Sequence, residues 1–161
     1  MNSFAAASSD LEQTLDRARP MLEAVSEQEA SRRPRPEKWS KKEIVGHLLD
    51  SASNNHQRFV RAALQGELTF PGYSQNELVK LQGFHEMKWD SLIEFWVAYN
   101  RFLATVLRRL PGEAESVRCV IGNNPPATLG WIAQDYVEHL KRHLNQILGE
   151  TFATAYRAKT L

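Results

Sequence analysis

The chain has 161 residues, 42% hydrophobic and 24% charged, a composition that supports one globular domain with its own core. Twenty Lys and Arg against nineteen Asp and Glu leave a formal net charge of +1, without the basic excess that nucleic-acid binding by counterion release requires. A single cysteine excludes an internal disulfide, and no window approaches the ~20 apolar residues of a membrane helix. Met1 to Ser9 has no targeting pattern, so the expected setting is the cytoplasm, with no membrane or nucleic-acid partner.

The apolar spacing is helical nearly throughout. A first helix is expected from near Ser9, with Asp10 and Glu12 in its first turn and Leu11, Leu15, Met21, Leu22 and Val25 along one stripe. Pro20 is expected to kink or split it. Arg32, Arg33, Arg35 and Lys38, broken by Pro34 and Pro36, read as a solvated connector. The second helix has the best start signal. Ser40 and Glu43 form a capping box, and Trp39 can staple onto Ile44. Its apolar pattern runs from Ile44 to Leu64 and stops at Gly66. Glu67 to Ser74 reads as a loop around Pro71 and Gly72, followed by a short helix from Gln75 to about Leu81. A third long helix carries Trp89, Phe95, Trp96, Tyr99, Phe102 and Leu107 and ends at Pro111 and Gly112. Between Glu113 and Ala127, Val117 to Ile121 has an extended pattern, and Cys119 within it reads as a buried small residue. Thr128 can cap a last helix holding Leu129, Ile132, Val137, Leu140, Leu144 and Ile147, with Gly149 as its stop. The expected architecture is an all-α four-helix bundle in one domain, residues 1–161 with a core from about 9 to 149.

Helix geometry sorts the five histidines. His139 and His143 are four apart, so both imidazoles lie on one face, one turn apart. That spacing lets two rings reach one metal ion. Asp135 and Gln146 share the stripe, and Asp135 is a candidate to orient a ligand ring through its second nitrogen. His47 sits among core-type residues of the second helix. His56, nine residues on, points about 180° away, whereas Arg58, eleven residues on, returns to the His47 face. Ser51 and Asn54 or Asn55 lie between, a polar stripe of the kind that lines a cavity. His85 falls just before the third helix or at its start. Three imidazoles match the ligand count of catalytic zinc sites, which keep one position open.

These stretches resemble the DinB-like superfamily. Lys38 to Asp50, with its Trp39-Ser40 start and His47-Leu48-Leu49-Asp50 element, is similar to that family's second-helix signature. Asp135 to Ile147 is similar to its last-helix signature, with His139 and His143 at the ligand positions. The likeness spans roughly Ser9 to Gly149. It is greatest to the branch of metal-dependent hydrolases and bacillithiol S-transferases. The resemblance implies a four-helix bundle, a nickel or zinc ion held by His47, His139 and His143, and a homodimer. Gly46, Arg142 and Gln146 stand where branch members often carry further histidines.

Three functions follow as expectations. The first is a transferase that activates a low-molecular-weight thiol on the metal and acts on a small-molecule substrate. Arg58 would bind a carboxylate of the thiol cofactor, and Arg58 and Asp135 would be the catalytic residues. The second is a hydrolase using water on the same ligands, with Asp50 or Asp135 as the base. The third is a non-enzymatic, dimeric metal-binding or stress-response bundle, to which the aromatic residues of the third helix would offer a face.

Overall fold

The first long helix, α1, runs Ser3–Glu23 and so begins well before the expected start near Ser9. The Asn2 side chain accepts from the Ala5 N–H at 2.8 Å, and an alanine-rich first turn propagates the helix. Asp10 and Glu12 therefore lie beyond its first turn, paired with Lys141 and Arg108. Pro20 neither splits nor ends α1. It lies in the last turn, with only three helical residues after it, so a distortion there displaces little of the helix. The computed structural model describes residues 2–155; the outermost positions of the expected domain, residue 1 and residues 156–161, lie outside them.

A five-residue helix, α2 (Glu27–Ser31), follows, and the Glu27 carboxylate accepts from Lys42 Nζ and from the Trp89 N–H. The basic connector is solvated as expected, with Arg32, Arg33, Arg35 and Lys38 all exposed, and it also supplies one anchoring pair. Arg33 forks onto Glu43, with Nε–Oε2 at 2.9 Å and Nη2–Oε1 at 2.7 Å. Glu43 is nearly buried, so its carboxylate requires such a partner. The same carboxylate closes the capping box of α3 (Lys41–Gln65), accepting from the Ser40 N–H while Ser40 Oγ accepts from the Glu43 N–H. Gly66 ends α3 in the left-handed conformation, φ 76°.

Residues Glu67–Phe70 form a strand, β1, where the sequence suggests only a loop. Its partner is β2 (Arg118–Ile121), parallel, in register from Glu67 opposite Arg118 to Phe70 opposite Ile121. A partner so distant leaves no local mark. β2 also pairs antiparallel with β3 (Ala127–Thr128). The crossover between the parallel strands holds α4 (Gln75–Gln82), a 3-10 turn at Phe84–Glu86, α5 (Trp89–Arg109) and a second 3-10 turn at Gly112–Ser116. Thr128 caps α6 (Leu129–Leu148), its hydroxyl accepting from the Trp131 N–H at 3.2 Å.

α1 and α3 each pack chiefly against α5 and α6, so α1 and α3 occupy opposite corners of the bundle. One continuous core fills the centre, with Trp89, Trp96, Phe4 and Phe59 among its largest fully buried side chains. Trp89 Nε1 donates to the Leu22 carbonyl and the Tyr136 hydroxyl donates to Asn100 Oδ1, whereas Trp96 Nε1 is buried without a hydrogen-bond partner among the described residues. The small sheet joins the end of α3 to the start of α6, which leaves the start of α3 beside the end of α6. No helix of the described residues is long and apolar enough to cross a membrane.

Gly46 admits the Phe84 ring against α3 one residue before His47. A Cβ at this position would come within 2.3 Å of that ring. Helix propensity alone would make Gly46→Ala stabilising by ~1 kcal/mol. Overpacking should reverse the sign, giving a loss of about 1–3 kcal/mol in urea denaturation. A neutral or stabilised variant would contradict this packing.

Candidate metal centre and its cavity

The capping box fixes where α3 begins, and thereby places His47 on the core side of its second turn, fully buried. α6 presents His139 and His143 from its second half, one turn apart, with ring centroids 4.5 Å from each other. The two helices bring the three rings together. His47 Nε2 lies 3.3 Å from His139 Nε2, and His139 Nε2 lies 3.0 Å from His143 Nε2. One ligand atom from each ring falls within 4.8 Å of the others.

This donor set suits one ion. Nitrogens bound at 2.0–2.1 Å in tetrahedral geometry stand about 3.3 Å apart. Without an ion, three nitrogens in a small triangle must share protons that cannot serve all three pairs at once, and a central cation engages every lone pair. Burial, the charge of Arg142 and the neighbouring imidazoles hold the rings neutral, the form that ligates metals. His139 is pushed down to about 2 and His47 to about 3, in each case mainly by burial. Burial lowers His143 too, although its hydrogen bond to Gln146 opposes the shift.

The surroundings orient the rings. His143 Nδ1 lies 2.7 Å from Gln146 Oε1, which selects the tautomer with a proton on Nδ1 and a lone pair on Nε2. Trp39 covers His47 at a centroid distance of 5.1 Å. His47 Nδ1 is buried with no partner among the described residues.

A cavity of about 810 Å³ opens beside the triad, with His139 in its wall. α3 contributes Ser51, Asn55 and Arg58, and α6 contributes Asp135 and Tyr136. The polar stripe expected between His47 and Arg58 thus does line a cavity, through Ser51 and Asn55. Asp135 stands in the wall one turn before His139, its carboxyl raised by burial and by Glu138. Asp50 is buried outside the lining, with Oδ1 accepting from Gln82 Nε2 at 2.6 Å, and burial raises its carboxyl. Cys119 is buried and borders the cavity, its thiol raised by burial. His56 faces α5, with Nδ1 3.1 Å from the Tyr99 hydroxyl, and His85 lies 2.9 Å from Ser40 Oγ, so neither joins the triad.

The aromatic residues of the cavity, Tyr73, Trp131 and Tyr136, are among those that escape sequence reasoning. Tyr73 follows Pro71 and Gly72 in a turn whose placement depends on the distant strand pairing. Trp131 carries one weak signal, a large aromatic side chain off the apolar stripe of α6, and it is 56% exposed at the cavity.

The sequence pattern of the DinB superfamily matches residues 10–147, and the chain belongs to that superfamily. Among solved structures, YfiT from Bacillus subtilis shares the fold with a TM-score of 0.79 and 17% sequence identity, over 89% of this chain and 83% of that one. That protein is described as "a probable metal-dependent hydrolase with an unusual four-helix bundle topology". No curated protein sequence matches the chain.

The triad makes the metal-free protein acid-sensitive. The folded imidazoles titrate below the unfolded value of about 6.5, so the unfolded state binds more protons as pH falls. Stability is complete above that value and drains as pH drops toward about 3 for His47 and about 2 for His139. Each ring contributes up to about 1.4 kcal/mol per pH unit in this window. Urea denaturation at about pH 7.5 and about pH 5 should show this loss, with a shallower dependence in His47→Gln. Equal slopes would contradict the assignment.

Proposed function

We propose that the protein is a metal-dependent hydrolase that holds one divalent transition metal, nickel or zinc, through His47, His139 and His143. The observation that carries this reading is the convergence of three neutral imidazole nitrogens, one of them on His139 in the wall of a cavity large enough for a small-molecule substrate. Three protein ligands leave a coordination position for that molecule or for water, the pattern of catalytic sites. An ion so held acidifies water toward a pKa of ~7 and polarises a carbonyl.

The chain's own residues supply the rest. Asp135 is the carboxylate of the cavity wall nearest in sequence to a ligand, and its raised pKa brings it toward the range in which a carboxylate works as a general base. It would take a proton from the attacking water and return it to the leaving group. Asp50, buried and bonded to Gln82, is less suited to that exchange. The description of the YfiT relative also favours hydrolysis over the thiol transfer that the sequence places first. Thiol transfer would use the same three ligands, and a thiol requirement separates the two.

The test is turnover of a panel of p-nitrophenyl esters without added thiol, by protein reconstituted with zinc or nickel. Asp135→Asn should lower kcat by about 10²–10⁴ while retaining the metal. It should also remove an acidic limb of the pH–rate profile that lies above the ordinary carboxylate range. Metal-independent turnover, or activity that requires thiol, would refute metal-dependent hydrolysis.

A further inference from the structure

Arg58 differs from eight other cations of this bundle. Arg19, Arg33, Lys41, Lys42, Arg101, Arg108, Arg118 and Lys141 each pair with a carboxylate, although several of these groups are well exposed. Arg58 is half-buried in the cavity wall and pairs with no carboxylate among the described residues. Its Nε is fully buried without a hydrogen-bond partner there, and Nη1 reaches only Asn55 Oδ1, at 3.4 Å. The Phe70 ring covers the guanidinium at 5.5 Å, removing water from one side. The nearby Tyr73 hydroxyl is held neutral, since burial raises its pKa, and the Cys119 thiol is raised by burial as well. A desolvated cation beside neutral groups is costly unless an anion completes it.

We infer that Arg58 and the adjoining Ser51, Asn55 and Tyr73 form a subsite for the carboxylate of an elongated monoanionic substrate. One guanidinium balances one charge and offers the planar fork that a carboxylate matches. A phosphate dianion would call for further cations, and the lining contributes Arg58 alone. The substrate's length follows from the helix. The contact with Asn55 shows the guanidinium leaning back along α3 toward His47, eight residues before Asn55. At 1.5 Å per residue, carboxylate and metal end are separated by on the order of 10 Å. Ile121, Ile132, Tyr136 and Trp131 line the cavity that a largely apolar middle portion would occupy. The substrate class is therefore a carboxylic acid whose hydrolysable group sits roughly six to eight chain atoms from the carboxylate.

The assignment rests on the hydrolase reading for its metal end but not for its carboxylate end, and the experiment keeps the two apart. Cobalt-loaded protein is titrated calorimetrically with mercaptopropionate, mercaptohexanoate and mercaptooctanoate, and with the matching mercaptoalkanols; here the sulfur is a probe that engages the metal. Metal-free protein is titrated with octanoate and octanol. The longer acids should bind tenfold or more tightly over their alcohols, and mercaptopropionate should show no such advantage. Arg58→Gln should weaken the longer acids by about tenfold to a hundredfold. It should leave the alcohols unchanged, which also reports that the variant is folded. Acids and alcohols binding equally to the wild type, or an acid preference that survives Arg58→Gln, overturns the subsite even where cobalt is bound. If cobalt is not held, the metal reading falls, and the octanoate and octanol pair decides the subsite by the same criterion.

Discussion

Everything near the site depends on one constraint: three imidazoles have been taken out of water with their Nε2 atoms turned toward one another. Desolvation keeps all three neutral, and neutral rings at 3.0–3.3 Å present more lone pairs than shared protons can satisfy. A divalent cation resolves that frustration in one step. The bundle is arranged to hold the triangle. The capping box at Ser40 and Glu43 sets the phase of α3, Trp39 lies against His47, and Gln146 fixes the His143 tautomer. The small sheet secures the opposite ends of α3 and α6 and walls the cavity.

Much of this is readable in the residues themselves, because the relevant signals are local. The Ser40–Glu43 box, the Gly66 stop and the Thr128 cap are short motifs whose partners lie within a turn, and each stands where expected. The four-residue spacing of His139 and His143 carries its geometry with it. The bringing of His47 to that pair is not local. It came from resemblance to a family, and the fold accounts for it by setting the start of α3 beside the end of α6.

What was not readable depends on distant partners. β1 is a strand only because β2 lies beside it. Arg33 is exposed, as its basic run suggests, but its pairing with the buried carboxylate of Glu43, ten residues on, leaves no local mark. The early start of α1 rests on one asparagine cap and an alanine-rich turn that shows little amphipathic pattern. Tyr73 and Trp131 line the cavity from a turn and from the outer side of a helix, positions that periodicity does not single out. Membership of the DinB superfamily and the shared bundle fix the architecture. The proposed chemistry rests on the triad and its cavity.

The most direct test of the central claim is the metal content of the purified protein after reconstitution with zinc or nickel, set beside a His139→Ala, His143→Ala double variant that remains folded. The account predicts close to one ion per chain in the native protein and none retained by the variant. A native protein that takes up no ion, or a variant that binds as much as the native chain, would contradict it.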